Sequence, residues 1–446
     1  MARIAGDKLH IKDVTLLTAN PDKALERLYH QEVAVYDGRF LYVGSSERDC
    51  IQALERASDE QWKTIDGSRR WLLSGFANTH THMAMSLFRN ASDDLALHDW
   101  LNNVIFPREA KLTDEDVYCG NLLASLEMIR SGTTMAADMY FFPDAALNAA
   151  KESGLRLNIA IDPMLKVDGG FDFKPELLLN AKKRAEAEAD LDLVNIDLQI
   201  HSLYLYPESA YSQLKDFAAS EKLRIQMHIA ETKREEEELL ERYNMRPAEL
   251  AEHWSLMNGP MVAAHGVYLN DTDRAIYAGH GTVLSHNPAS NLKLASGIAE
   301  ITKAIEAGVA VSLATDGAAS NNSLDMYKEV YLASLLAKAK SADPRALPAW
   351  RSWQLATLDG YRAFDIDGGR IETGAVADFQ LLDTDDERFI TDQDPAAVLV
   401  YTIPKDLVRT VVVGGKLLYH DAAFVYLDEE RIRFEAKRIA TRFISS

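Results

Sequence analysis

The chain has 446 residues, 47% of them apolar, and a formal net charge of −20 at pH 7. An acidic excess of that size repels phosphate backbones and anionic headgroups, which excludes nucleic acid and membrane surfaces as partners and leaves a small neutral or zwitterionic molecule. Apolar residues are spread throughout and never form the run of ~20 that a membrane span requires, so a large buried core is expected. Two cysteines, Cys50 and Cys119, do not make a disulfide framework, and residues 1–7 lack the apolar core of a secretory signal. A cytoplasmic protein is expected, and a homo-oligomer is compatible with this composition.

The first ~70 residues read as short strands and turns. Two β-rich runs flank Asp37-Gly38, a strong hairpin signal. The tail is patterned in the same way. Residues 377–383 and 408–419 read as strands, the second run broken by Gly414-Gly415. A small β-sandwich domain assembled from both termini, residues 1–72 and 367–446, is therefore expected.

Between the ends, apolar β-type runs finish near His80, Asp138, Asp162, His201, His228, His265, His286 and Asp316, with helix-compatible stretches between most of them. One such stretch runs from Thr113 to Arg130, opening on a capping pattern and stopping at Gly132. This alternation predicts a (β/α)8 barrel over residues 73–366, with an open doubly wound sheet as the alternative. In a barrel all strand C-termini open onto one face, so residues distant in sequence converge there.

In the first of these runs His80 and His82 are two apart, so on a strand they point to the same side and make a natural pair of metal ligands. The fifth ends on His228, with Glu231 at the strand exit; Glu235-Glu236-Glu237-Glu238 follow and read as the solvated face of the next helix. The sixth ends on His265 and the eighth on Asp316. Three histidines and an aspartate at strand ends fit a Zn2+ site left open for water, and Zn2+ lowers the pKa of bound water to ~7. The acid and base such a site needs are supplied by Glu231 and His265. Gly-Xaa-Ser-Xaa-Gly, a phosphate-binding loop, a dinucleotide glycine fingerprint and the Pro-Cys-Xaa-Xaa-Cys pattern of other zinc deaminases are all absent.

Asn78-Thr79-His80-Thr81-His82, His228-Ile229-Ala230-Glu231, His265, Ser285-His286-Asn287-Pro288-Ala289-Ser290-Asn291, Thr315-Asp316-Gly317 and Gly374-Ala375-Val376-Ala377-Asp378 together resemble the amidohydrolase superfamily. They look most like its branch of 5′-methylthioadenosine/S-adenosylhomocysteine deaminases. The resemblance implies one Zn2+ per subunit held by His80, His82, His228 and Asp316. It implies that Glu231 carries a proton from water to the purine ring, while His265 and Asp316 orient and deprotonate that water. It places Trp100 over the nucleoside, Glu109 on the ribose hydroxyls and His201 on the purine. Ser74 and Met83-Ala84-Met85 depart from the pattern, and two arginines that would grip an amino-acid carboxylate fall at Ile161 and near Phe171. An apolar methylthio group suits those residues better than a carboxylate, unless Lys166 or Lys174 supplies the cation. The remaining alternatives are a guanine or cytosine deaminase or a triazine hydrolase of the same superfamily, and a non-catalytic binding barrel.

Overall fold

The computed structural model describes residues 7–20, 23–58, 61–91, 94–166, 170–188, 192–391 and 393–444. Its strands form two sheets. Nine strands from the two ends of the chain make the first. The N-terminal part supplies β1 (Leu9–Asn20), β2 (Lys23–Tyr36), β3 (Arg39–Gly44), β4 (Lys63–Asp66) and β5 (Arg70–Ser74). The second sheet is the barrel, with β6 (Phe76–Thr81), β7 (Thr133–Met139), β8 (Arg156–Ile161), β9 (Val194–Gln199), β10 (Ile225–Ile229), β11 (Met261–His265), β12 (Val283–His286) and β13 (Ala310–Leu313). The C-terminal part then returns β14 (Phe379–Asp383), β15 (Val408–Val413), β16 (Lys416–His420) and β17 (Ala423–Phe424) to the first sheet.

The terminal sheet runs in the order β17-β16-β15-β14-β5-β1-β2-β3, with β4 paired to β1. The two chain ends are joined where β14 pairs antiparallel with β5. The expected hairpin is present: Asp37 and Gly38 both take positive φ between β2 and β3, the backbone that a two-residue turn demands. The sheet curls so that Phe40 of β3 meets Phe379 of β14, ring centroids 5.7 Å apart, and side chains from both ends share one apolar core. Two of its features depart from the sequence expectation. β1 and β2 are long rather than short, and a helix, Glu47–Ala57, follows β3. Ser46 caps that helix and Cys50 and Leu54, four apart, bury one side of it.

In the barrel, each strand pairs parallel with the next from β6 to β13. The predicted helix following β6 spans Asp114–Arg130, with a reciprocal capping box between Thr113 and Asp116. Closure between the last and first strands is made largely by side chains of the Asn78-Thr79 pair. Asn78 donates to Thr315 Oγ1 (2.7 Å) and accepts from Thr315 N (2.9 Å), and Thr79 donates to Leu313 O (3.0 Å). Asp316 N then donates to His80 O (3.0 Å), which brings the end of the eighth strand beside the end of the first.

Gly75 alone separates β5 from β6. A Cβ there would lie 2.1 Å from Thr134 Oγ1, so only glycine lets the chain pass from one sheet to the other at this point. Beside it, Arg156 of β8 makes a two-pronged ion pair with Asp378 (2.6 and 3.0 Å), which also accepts from Tyr361 Oη and Gly414 N. This bolts the barrel to the terminal sheet. The last helix, Glu429–Ile444, falls in the stretch whose sequence pattern predicts a β-rich tail. It instead lies against the barrel helix Asp114–Arg130, with Arg442 paired to Asp116 at 2.5 Å and Phe443 edge-on to Phe88. No helix among the described residues is long and apolar enough to cross a membrane.

Candidate active site

The barrel's strand ends place His80, His82 and His228 with their ligand-capable nitrogens within 4.8 Å of one another. His80 lies in β6, His82 one residue beyond it, and His228 in β10. Asp316, past the end of β13, reaches into the same group: its Oδ1 lies 3.3 Å from His82 Nε2 and 3.5 Å from His80 Nε2. Three backbones near the site hold positive φ without glycine, at Ala230, His265 and Asp316. Each costs about 1–3 kcal/mol, strain that the closed barrel sustains in order to aim these side chains.

The hydrogen bonds of the cluster show what it can hold. His82 Nδ1 lies 2.7 Å from Met139 O, and His228 Nδ1 lies 2.7 Å from His201 O. Carbonyl oxygens only accept, so both Nδ1 atoms carry hydrogen and, in the neutral rings, both Nε2 atoms present lone pairs. Those lone pairs face each other at 3.3 Å. His80 Nε2 is buried without a hydrogen-bond partner. Burial holds His80 down to about 4 and His228 well below the usual imidazole range, so neither supplies a proton near neutrality. Two lone pairs, a third imidazole nitrogen without a hydrogen bond and a carboxylate gathered at one place fit a divalent cation with an open position. Burial alone would keep Asp316 protonated, but the surrounding histidines hold it well below the ordinary carboxylate range. Its Oδ2 accepts from Ser290 Oγ (2.6 Å) and Ser320 Oγ (2.8 Å), which fixes the orientation of Oδ1.

Glu231 and His265 flank the cluster, His265 Nε2 3.8 Å from Glu231 Oε2. Burial raises the Glu231 carboxyl. Burial would lower His265, but Glu231 and Asp316 outweigh it and raise it. Its Nδ1 is fixed at 2.9 Å from Asn291 Oδ1. All of this opens into a partly enclosed cavity whose wall is mostly apolar, with Leu97, Leu101, Ile105, Phe106 and Leu165 among its lining residues.

Comparison with known proteins identifies the architecture. The model of the Amidohydrolase family matches residues 71–418. The chain belongs to the amidohydrolase family. It is a hydrolase acting on carbon–nitrogen bonds. It is 35% identical over 414 residues to a 5-methylthioadenosine/S-adenosylhomocysteine deaminase of Acetivibrio thermocellus, covering 92% of this chain and 96% of that one. It is 36% identical to a 5′-deoxyadenosine deaminase of Methanosarcina barkeri, covering 98% of each. Among solved structures it resembles an adenosine deaminase from Xanthomonas campestris with bound zinc, at a TM-score of 0.90 and 27% identity over 99% of both chains.

In this amidohydrolase, Trp100, Glu109 and His201, singled out from the sequence as substrate contacts, line the same cavity as Glu231, His265 and Asp316. Glu109, which in sequence could pass for a surface residue, is buried and pushed up to about 7 by that burial. His201 is held down to about 3, with an unpartnered Nδ1. Sequence reasoning missed Gln199 and Tyr140, which line the cavity, Gln199 Oε1 unpartnered and the Tyr140 hydroxyl beside the Glu109 carboxyl. Gln199 sits two residues before His201, so its position at a strand end was an available signal. The glutamate run is corrected: Glu235 is not on a solvated face but buried, accepting from Ala230 N (3.1 Å) and Glu231 N (2.8 Å). Glu237 and Glu238 are the solvated pair, bridged to Lys233 and Arg234. Ile161 and Phe171, expected to stand beside the substrate, are not among the residues lining this cavity: Ile161 lies in the barrel core, and Phe171 is 40% exposed against Tyr206.

Proposed function

We propose that this amidohydrolase is a zinc-dependent deaminase of adenosine-type nucleosides, with 5′-methylthioadenosine favoured over S-adenosylhomocysteine. The observation that carries the reading is the pairing of buried Glu231 with His265 beside the three histidines and Asp316, at the floor of a cavity that also holds Glu109 and His201. Deamination of an adenine needs a proton on a ring nitrogen, water added to the carbon bearing the amino group, and a proton for the departing ammonia. Glu231, its carboxyl raised by burial, carries a proton from the water to the ring nitrogen. His265 and Asp316 orient the attacking water and take its proton. His80, His82, His228 and Asp316 would hold one Zn2+, which when bound acidifies water. Trp100 covers the nucleoside, Glu109 takes the ribose hydroxyls, and His201, with its unpartnered Nδ1, takes the purine edge.

The preference for the methylthio compound rests on the cavity wall. Leu97, Leu101, Ile105, Phe106 and Leu165 line it, and no Lys or Arg does among the described residues. Lys166 and Lys174 both face the carboxylate of Asp172, at 3.7 and 3.3 Å. A buried, unpaired carboxylate costs about 1–3 kcal/mol, or roughly tenfold to a hundredfold in specificity. The test is ammonia release from adenosine, 5′-methylthioadenosine and S-adenosylhomocysteine. Release from none overturns the function; a kcat/KM ratio near one between the last two overturns the preference. Both cysteines are free buried thiols, in keeping with action in the reducing cytoplasm on a small molecule.

A further inference from the structure

A second group of metal-ligating side chains lies far from the barrel mouth, in the terminal sheet. His10 of β1, Glu32 of β2 and Cys50 of the helix Glu47–Ala57 are all buried, and their ligand-capable atoms lie within 4.8 Å of one another. The register explains the convergence. His10 pairs with Ala34, and Glu32 precedes Ala34 by two residues, so His10 and Glu32 are diagonal neighbours on one face of the sheet. The helix crosses that face and packs Cys50 against Ala34.

His10 Nε2 is 2.6 Å from Glu32 Oε2 and 3.6 Å from Cys50 Sγ. A ring nitrogen offers either one hydrogen or one lone pair, so it cannot satisfy a carboxylate and a thiol together. The other carboxylate oxygen accepts from Asp13 N at 3.2 Å, the kind of outer bond that orients a metal-binding carboxylate. We propose that His10, Glu32 and Cys50 form a second metal site, taking one thiophilic divalent cation of the Zn2+ class and stapling the helix to the sheet. One sulfur, one nitrogen and one oxygen suit Zn2+ with water as fourth ligand, and do not suit Mg2+ or Ca2+. Loading displaces the thiol proton and any proton shared by His10 and Glu32. The thiolate and carboxylate then balance the two charges of the cation.

The test uses the full chain, purified from zinc-supplemented medium, and counts zinc per chain by mass spectrometry. Cys50→Ala and His10→Ala are each expected to bind one zinc fewer than the wild type, with kcat/KM within about twofold in folded Cys50→Ala. Because either variant could lose its fold, a second measurement uses otherwise native protein. Stripped of metal and reloaded with Co2+, it is expected to show sulfur-to-cobalt charge-transfer absorption, which the all-nitrogen-and-oxygen cluster of the barrel cannot give. Cys119→Ser should keep that band, since Cys119 lies elsewhere, near Ile432 O. No band in the wild type, a band lost only in Cys119→Ser, or an unchanged zinc count in folded Cys50→Ala would each overturn the site and leave the triad a hydrogen-bonded cluster.

Discussion

Two buried polar clusters hold this molecule together at different places, and they are built on opposite rules. Where the barrel meets the terminal sheet, Arg156, Asp378, Tyr361 and Thr134 are closed among themselves: the ion pair has two hydrogen bonds, Tyr361 bonds both Asp378 and Thr134, and Gly414 N fills a further site on Asp378. At the barrel mouth the polar atoms are oriented but not satisfied. His80 Nε2 and His201 Nδ1 have no partner, and the Nε2 atoms of His82 and His228 face each other. Burying polar atoms is costly unless they are paired, so a fold tolerates an open cluster only where something else completes it. The closed cluster is mechanical and the open one is chemical.

Substitutions can break that contrast from either side. The largest effect is expected from Glu231→Gln, which keeps the size of the side chain and removes the carboxyl that would shuttle the proton. Turnover should fall by ~10²–10⁴-fold while the zinc content stays at the wild-type value; unchanged turnover would remove Glu231 from proton transfer. Asp378→Ala should act only on the mechanical side. It strands a buried guanidinium and lowers stability by about 3–5 kcal/mol, read by denaturant unfolding, with kcat of the folded fraction unchanged. Asp316→Ala strips one carboxylate from the open cluster, so zinc affinity should fall by at least ~10–100-fold, with loss of activity. Metal analysis after dialysis checks this, and full occupancy would take Asp316 out of the ligand set.

The smallest effect is a pH dependence behind the open cluster. Glu329 is buried and pushed up to about 7 from the ordinary 4.5, while accepting from Asn321 Nδ2 and Ala289 N. Its folded value lies above its unfolded one, so the folded state binds the proton more tightly and stability falls as pH rises from about 4.5 through 7. Between pH 5 and 8 this loss is of the order of 2 kcal/mol. Glu329→Gln should flatten that part of the stability–pH curve, measured by denaturant midpoints across the range. An equally steep curve would assign the dependence to other carboxyls.

Much of the site was legible because barrel catalysis is written at strand ends. The spacing of His80 and His82, and the apolar runs stopping at His228, His265 and Asp316, required only strand periodicity and the rule that strand C-termini share a face. The Asp37-Gly38 hairpin and the Thr113 cap were legible for the same reason: each is decided by neighbours within a few residues. The helix Glu47–Ala57 was not, because its apolar side is only two residues wide and it lies among strands. The C-terminal helix Glu429–Ile444 escaped for a related reason: its place is set by contacts with residues some 300 positions earlier.

Glu235 marks the limit most clearly. In sequence it is one of four adjacent glutamates with the same local chemistry, yet only it turns inward to hold the backbone of Glu231. Periodicity and composition determined the barrel, the β-rich ends and the residue types at the strand ends. Tertiary structure alone decided which polar atoms are left unpaired, that Gln199 and Tyr140 join the cavity, and that Ile161 does not. Local pattern fixes which face a side chain takes on its own element. Whether that face meets solvent, another element or a cavity depends on the closure of the whole barrel, which no local window contains.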